Sequence, residues 1–504
     1  MKIFEIEDLA KEIQIIKSKG KKIVHCHGCF DLMHIGHIKY FQASRKMGDI
    51  LVVTVTPDIY VDKGLDRPVF NQNLRAESIA ALECVDYVSI NKWHTAEETL
   101  RLLRPDIYVK GQEFENLEDK TGKIQREYKI VKEIGAEVRF TREIVFSSTK
   151  LLNQYFLDIY PEETKTFLKK FSEKYSFDEI AEKLNNLKKL KVIIIGDGII
   201  DEYHYCEPMG KSAKAPLVVH KYITHEVFAG GAFIIANHIA GLCDNVQLVT
   251  LLGKEDSRED FILNNLKPNI GTKFFYRDDG STVRKKRYIY QYLNQKLFEI
   301  NHINNNYINN DCELDIITYL KSTIPEYDLV LISDFGHGFI TDNIINVIEN
   351  VSRTFAVNTQ TNAANSGYNM ITKYRNPNFV CLDDAEARLG TKDRFGNIEA
   401  VAKKLSKVLN AESIIITLGK KGSVGINRKN EINFTPIFST KVIDTVGAGD
   451  AFFAFTAPCF AQGMPLDLIS FIGNAVGALA VQIVGNKRPV EKYELLEFIN
   501  TILN

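Results

Sequence analysis

No run of about 18 uncharged apolar residues occurs anywhere in this 504-residue chain, which removes a membrane-spanning helix from consideration. Apolar stretches such as Val192 to Ile195 and Ile414 to Ile416 are strand-sized. A secretory signal needs a cationic stretch and an apolar core, but the first residues, Met1-Lys2-Ile3-Phe4-Glu5-Ile6-Glu7-Asp8, are acidic there. The expected location is the cytoplasm, with no membrane partner. Charge of one sign is also missing: the formal net charge is -1, which gives no electrostatic reason to expect DNA or membrane as the main partner. RNA binding would need a basic face with interleaved aromatics, and none is seen. The eight cysteines are irregularly spaced, which suits free thiols rather than a disulfide framework. Cys26-His27-Gly28-Cys29 matches C-x-x-C, yet no second ligand pair or thioredoxin-like context follows, so it reads as a turn rather than a zinc or redox site. Neither an internal repeat nor a Gly/Ser/Pro-rich tether breaks the chain.

What is present is globular. Apolar residues make up 45% and charged residues 25%, and the length allows about two to four domains, each with its own core. One local charge run, Arg284-Lys285-Lys286-Arg287, stands out. It reads as a solvated strand or loop; the sharper alternative is that one or two of these side chains hold a phosphorylated substrate. The asparagine-rich stretch from Asn301 to Asn310 reads as a surface loop.

Helical apolar spacing over Glu5 to Ser18 is followed by strand-helix alternation up to a strand at Glu137 to Phe140. Such alternation predicts a parallel sheet with crossover helices and a ligand at the carboxyl ends of its strands. The lysine- and glutamate-rich stretch from Pro161 to Lys191 predicts a linking helix. Alternation restarts at Lys191-Val192-Ile193-Ile194-Ile195-Gly196-Asp197. The expected division is 1–160, a helical linker at 161–188, and 189–504.

Two segments carry chemistry. Gly28-Cys29-Phe30-Asp31-Leu32-Met33-His34-Ile35-Gly36-His37 follows an apolar strand. A glycine turn opening a helix presents N–H groups and a positive dipole end to an anion. His34 and His37, three apart, share a helix face and can donate to charge developing on an α-phosphate. Near the other end, Asp444-Thr445-Val446-Gly447-Ala448-Gly449-Asp450 offers a second glycine-rich helix start. The amides of Gly447, Ala448 and Gly449 can hold transferring phosphoryl oxygens, while Asp450 can take the proton of an attacking hydroxyl. Asp at such a turn is also common for structural reasons alone.

The first segment resembles the cytidylyltransferase-like nucleotidyltransferases through His34-Ile35-Gly36-His37, over about residues 20 to 155. Lys63-Gly64, Asn73-Leu74-Arg75, Pro105-Asp106-Ile107-Tyr108-Val109-Lys110-Gly111 and Phe146-Ser147-Ser148-Thr149-Lys150 extend the likeness. It implies a Rossmann-like domain in which Lys63, Arg75 and Lys110 are cationic contacts. Gly28, Phe30, Asp31, Gly36, Gly111, Ser147, Ser148 and Thr149 would then line the nucleotide, and His34, His37 and Lys63 would serve catalysis. The implied reaction joins a sugar phosphate to a nucleoside triphosphate and releases pyrophosphate, with Mg²⁺ on the leaving group.

The second segment resembles PfkB (ribokinase-like) sugar kinases, over about 187 to 504. That likeness implies a three-layer α/β/α domain with a small lid sheet. Gly230-Gly231 would be the diglycine hinge; Asp197, Asp201 and Asn237 would bind sugar; Thr417, Gly419 and Gly422 would bind nucleotide. Asp450 would be the base and Glu386 a metal contact. Together the halves are similar to the bifunctional heptose 7-phosphate kinase/heptose 1-phosphate adenylyltransferase family, in reversed order. The resemblance implies ATP, Mg²⁺, a heptose-like sugar phosphate and a homodimer, and no nucleic acid. Departures stand at Ile234 (asparagine in the family), His337 (lysine), Asp383-Asp384-Ala385-Glu386 (N-x-x-E), Asn358-Thr359-Gln360 (D-P-K) and Gly485-Asn486 (G-T). They leave open another sugar or polyol, CTP in place of ATP, or a divergent kinase acting as sensor or dimerisation module.

Overall fold

Ile50-Leu51-Val52-Val53-Thr54-Val55 forms a strand whose residues 51–55 are all buried, the signature of a parallel strand covered on both faces. The computed structural model describes residues 2–61, 68–111, 123–141, 160–293, 295–362, 365–439 and 442–503. The chain divides into two units, Met1–Pro161 with Leu496–Asn504, and Glu162–Leu495.

In the first unit six strands, β1 (Ile3–Phe4), β2 (Ile23–Gly28), β3 (Ile50–Val55), β4 (Tyr87–Ile90), β5 (Ile107–Gly111) and β6 (Glu137–Thr141), form a sheet in the order β1-β4-β3-β2-β5-β6. Every described pairing is parallel. The chain steps outward from β2 to β4, then returns to place β5 beside β2. That reversal opens a crevice at the carboxyl ends of β2 and β5, where Gly28 and Gly111 lie. The helix Ile6–Ser18 buries Ile6, Leu9, Ala10, Ile13 and Ile16, a stripe at three- and four-residue spacing, and ends before Gly20 at φ +76°.

The second unit holds β7 (Lys191–Gly196), β8 (Gly198–Lys211), β9 (Val218–Gly231), β10 (Asn245–Glu255), β11 (Ile270–Ser281), β12 (Arg284–Tyr290), β13 (Gln295–His302), β14 (Leu329–Asp334), β15 (Phe355–Thr359), β16 (Phe379–Asp383), β17 (Ser413–Thr417), β18 (Ser423–Asn427) and β19 (Ile432–Thr435). Its main sheet runs β11-β10-β7-β14-β15-β16-β17-β18-β19, parallel as far as β17 and antiparallel beyond. One face packs a core of Ile193, Ile195, Ile332, Ile344, Ile348, Leu382, Leu405 and Ile416 under the helices Asn310–Thr323, Asp342–Val351 and Ile398–Leu409. The other carries Ala232–Ala240, Ala448–Ala461 and Leu466–Ala480, whose side chains are buried almost all round. These are three layers, α/β/α.

A second sheet, β13-β12-β8-β9, stands apart from the first. Strands β8 and β9 are 14 residues each, buried at their paired inner ends and exposed at their tips. Side-chain periodicity does not reveal these long arms, because burial changes along each strand. The basic run 284–287 is a strand, β12, as one form of the expectation had it, but not a solvated one: its two arginines are ion-paired, Arg284 to Asp256 at 2.8 Å and Arg287 to Glu299 at 2.7 Å. The stretch expected as one linking helix is two, Glu162–Lys174 and Phe177–Asn186, the second capped by Ser176, whose Oγ accepts from the Glu179 amide. Phe171 stacks on Phe471 at 4.0 Å and Tyr175 donates to Asp467 at 3.0 Å, so this segment packs within the second unit. Among the described residues no helix is long and apolar enough to cross a membrane, and no cluster of three or more metal-ligating side chains occurs. All eight cysteines are free; burial pushes the Cys26 thiol up to about 11, an inert state.

Candidate active sites

The first unit's glycine turn is bent sharply. Phe30 and Leu32 adopt φ +49° and +46°, left-handed values that non-glycine residues hold only when their surroundings impose them. Phe30 folds its ring back over Gly28, where a Cβ would come within 2.9 Å, and packs edge-on against Phe41 at 4.8 Å. Its side chain is therefore core, and the nucleotide-facing part of Phe30 can only be its backbone. Asp31, almost fully buried, accepts from the amides of Val69 (2.9 Å) and Phe70 (3.1 Å). The carboxylate expected beside the nucleotide serves as a loop clamp instead.

His34 is the N-cap of the helix Ile35–Arg45; its Nδ1 accepts from the Gly36 amide at 3.0 Å, which places the ring proton on Nε2. The His37 ring stacks on His34 with centroids 4.0 Å apart. Two imidazoles thus stand together at a helix N-terminus, over the switch crevice. Tyr40 of the same helix ties it to β5 by donating to Val109 O at 2.6 Å. Below, Thr54 Oγ1 lies 2.8 Å from His25 Nε2 and 2.9 Å from His27 Nδ1; burial lowers His25 to about 3, so it is neutral.

Arg75 is corrected outright. It is 1% exposed, and its guanidinium donates to the carbonyls of Phe70, Cys29 and Thr56 and to Asp58 at 2.5 Å. Its donors tie the turn that carries the imidazoles, through Cys29, to Thr56, Asp58 and Phe70, so it positions the site and has its guanidinium engaged by the protein. Lys110 is paired with Glu127 at 2.8 Å, and Gly111 closes β5. Lys63, Ser147, Ser148 and Thr149 lie outside the described residues.

In the second unit Gly447 at φ +82° starts the helix Ala448–Ala461. The Ala448 amide, expected in the anion hole, donates instead to Thr445 O at 3.3 Å, whereas the amides of Gly449 and Asp450 lie in the first turn without intrahelical acceptors. Asp450 accepts from Gln360 Nε2 at 2.6 Å, and burial raises its carboxyl to about 7. Asp197, next to β7, accepts from the amides of Phe335 (2.8 Å) and His337 (3.4 Å); burial, then the nearby Asp334, raises it to about 7. Asp201 is ion-paired with Arg287 and accepts from Asn486 Nδ2 at 3.0 Å. The two glycines serve these acids: a Cβ at Gly230 would overlap Asp201 Oδ2, and one at Gly231 would come within 2.5 Å of Asp197 O. Asp197, Asp201, Gly230, Gly231, Gly447 and Asp450 are so drawn together through Asn486 and Gln360.

Asn237 is not. Its amide donates to Asn265 O at 2.8 Å and accepts from the Lys267 amide at 2.9 Å, a loop clamp away from any sugar. Thr417 ends β17, and the turn Gly419–Lys421 returns the chain into β18 with Gly422 at φ +86°, where a Cβ would strike Thr435 O. Glu386 sits in a capping box with Asp383 and accepts from the Thr361 amide at 3.1 Å, one residue from Gln360; burial and then Asp383 raise it to about 8. A single carboxylate suits Mg²⁺ that keeps its waters and takes its other ligands from phosphates. Sequence reasoning marked Gln360 and Asn486 only as departures; their partners are distant in the chain and leave no local signal.

Comparison with known proteins agrees with the fold of both units. A family model described as pfkB family carbohydrate kinase matches residues 189–492, and one described as cytidylyltransferase-like matches 25–165. Two proteins named bifunctional protein HldE resemble the N-terminal region: that of Nitratiruptor sp. is 40% identical over 129 residues, covering 25% of this chain and 27% of that one. That of Citrifermentans bemidjiense is 37% identical over 161 residues, 32% of each. The chain thus spans about a third or less of the length of these curated relatives. Phosphofructokinase-2 from Escherichia coli in complex with potassium superposes with a TM-score of 0.51 at 13% identity, over 62% of this chain and 100% of that one, a likeness of fold. With its larger unit matched almost throughout, the chain belongs to the pfkB family of carbohydrate kinases and carries a cytidylyltransferase-like region ahead of it.

Proposed function

We propose that the chain is a bifunctional enzyme of nucleotide-sugar synthesis. Its second unit phosphorylates the anomeric hydroxyl of a heptose-like sugar phosphate, and its first unit couples the resulting 1-phosphate to a nucleotide. The observation that carries this reading is the place of the second unit's base: Asp450, buried and accepting from Gln360 Nε2 at 2.6 Å, stands in the first turn of the helix Ala448–Ala461, where the first amides have no intrahelical acceptor. Asp450 takes the hydroxyl proton, the sugar oxygen bonds the γ-phosphorus of ATP, and the bond to the β-phosphate oxygen breaks to release ADP. In the first unit a 1-phosphate oxygen attacks the α-phosphorus, and pyrophosphate leaves. His34, protonated on Nε2, and His37 donate to the charge that builds there. Mg²⁺ supplies charge neutralisation of the phosphates when bound; Glu386 is the carboxylate placed to hold it in the kinase half. The product of one unit is the substrate of the other, which gives the fusion its logic.

The reading also places the enzyme in the cytoplasm as a homodimer. Val218, Tyr222, Phe298 and Ile300 of the lid sheet are 54%, 53%, 50% and 45% exposed, an apolar surface suited to a second copy. The deciding experiment gives the purified chain Mg-ATP and heptose 7-phosphate. ADP release that vanishes in Asp450→Asn, and pyrophosphate release that vanishes in His37→Ala, support the proposal. ADP release that survives Asp450→Asn sinks it.

A further inference from the structure

Side chains alternate along β12, so Arg284 and Lys286 share one face while Lys285 and Arg287 share the other. Arg284 and Lys286 lie 3.6 and 3.5 Å from Glu202, and Arg284 also meets Asp256. Arg287 is neutralised by Asp201 and Glu299. Lys285 differs from all three. It stands directly across from Asp201 in the strand register, yet no carboxylate lies within ion-pair distance of its ammonium among the described residues. What it meets is the ring of Phe335, 5.3 Å from the nitrogen. Burial holds the Lys285 ammonium below the usual lysine range.

A mostly buried, unpaired ammonium is costly, and an anion offsets that cost. The position of Lys285 says which anion. Phe335 follows β14, and its amide donates to Asp197, so the ammonium stands over the segment that holds the sugar-side carboxylate. The nucleotide turn Gly419–Lys421 follows β17, separated from β14 by β15 and β16. The transferring group has its own donors at the helix start beside Asp450. The unclaimed cation therefore belongs to the acceptor.

We infer that Lys285 binds the phosphate of a phosphorylated acceptor sugar and so selects it over the same sugar lacking that phosphate. This rests on the kinase reading above. The test compares the full chain with Lys285→Met and Lys285→Arg, using Mg-ATP with heptose 7-phosphate or with the unphosphorylated heptose. Lys285→Met is expected to raise KM for heptose 7-phosphate roughly 10- to 100-fold, the size of one charge-assisted hydrogen bond, and to leave KM for ATP unchanged. Turnover of the unphosphorylated heptose should not change, and Lys285→Arg should recover most of the affinity. Equal loss of kcat on both acceptors would assign the cation to the transferring phosphoryl group and overturn the inference, as would unchanged kinetics. If wild type releases no ADP from either sugar, the kinase reading fails separately. Calorimetric binding of heptose 7-phosphate, weakened in Lys285→Met or not, then still decides this one.

Discussion

Asn486 donates from Nδ2 to Asp201 Oδ2 at 3.0 Å, and its Oδ1 fills the space where a side chain on Gly447 would stand. One amide so spans the distance between a lid aspartate and the turn that opens the phosphate-facing helix. At Gly447 the left-handed φ and the Asn486 oxygen both exclude a Cβ. Gly447→Ala should lower kinase kcat by about 100-fold or more, the usual effect of displacing an anion-hole donor. Asn486→Ala should weaken turnover less. Steady-state ADP release against both substrates measures it, and an unchanged Gly447→Ala enzyme would refute the coupling.

The pH profile of the kinase follows from Asp450. With its carboxyl at about 7, the basic form accumulates as pH rises through neutrality, so kcat/KM should climb between about pH 6 and 8. The same group affects stability. Its folded value lies above the ordinary 3.8, so its contribution is complete below about 3.8 and is lost as pH rises through about 7. Asp450→Asn removes that loss. Its melting temperature should exceed that of wild type by a margin that grows from pH 5 to pH 8, while activity disappears. A margin that shrinks with pH would contradict the assigned burial.

His34 has two separable duties. Asparagine is as good an N-cap as any residue, so His34→Asn should keep the helix start, whereas His34→Ala should cost about 1 kcal/mol in addition. Both should lower pyrophosphate release by roughly 100- to 1,000-fold if the imidazole acts on the phosphate. Urea unfolding and a pyrophosphate assay on the same samples distinguish cap from chemistry.

Arg75 should behave as a structural residue. Removing it leaves three carbonyls and Asp58 without their donor, so Arg75→Ala should destabilise the first unit by about 3–5 kcal/mol. Lysine cannot reproduce the fork, so Arg75→Lys should recover little of this. Denaturant midpoints of the first unit check it, and a folded Arg75→Ala whose only defect is a raised KM for nucleotide would restore the cationic-contact reading.

The amino-acid sequence by itself determined the layout: two α/β sheets, a glycine turn at the end of β2, and a second glycine-rich helix start before Asp450. These follow from side-chain periodicity and glycine placement, which act over a few residues and are local enough to read directly. Tertiary structure decided which polar atoms remain available for chemistry. Asp31, Arg75 and Asn237 look like ligands in the linear order, but backbone groups brought in from elsewhere in the chain occupy them. Gln360 and Asn486 stand there only as departures, and Lys285 as one of four basic residues in a run; folding sets them against Asp450, Asp201 and Phe335. A hydrogen-bonding group is spent on whichever partner the fold delivers, and that partner is a property of the packed sheets, not of its neighbours in sequence.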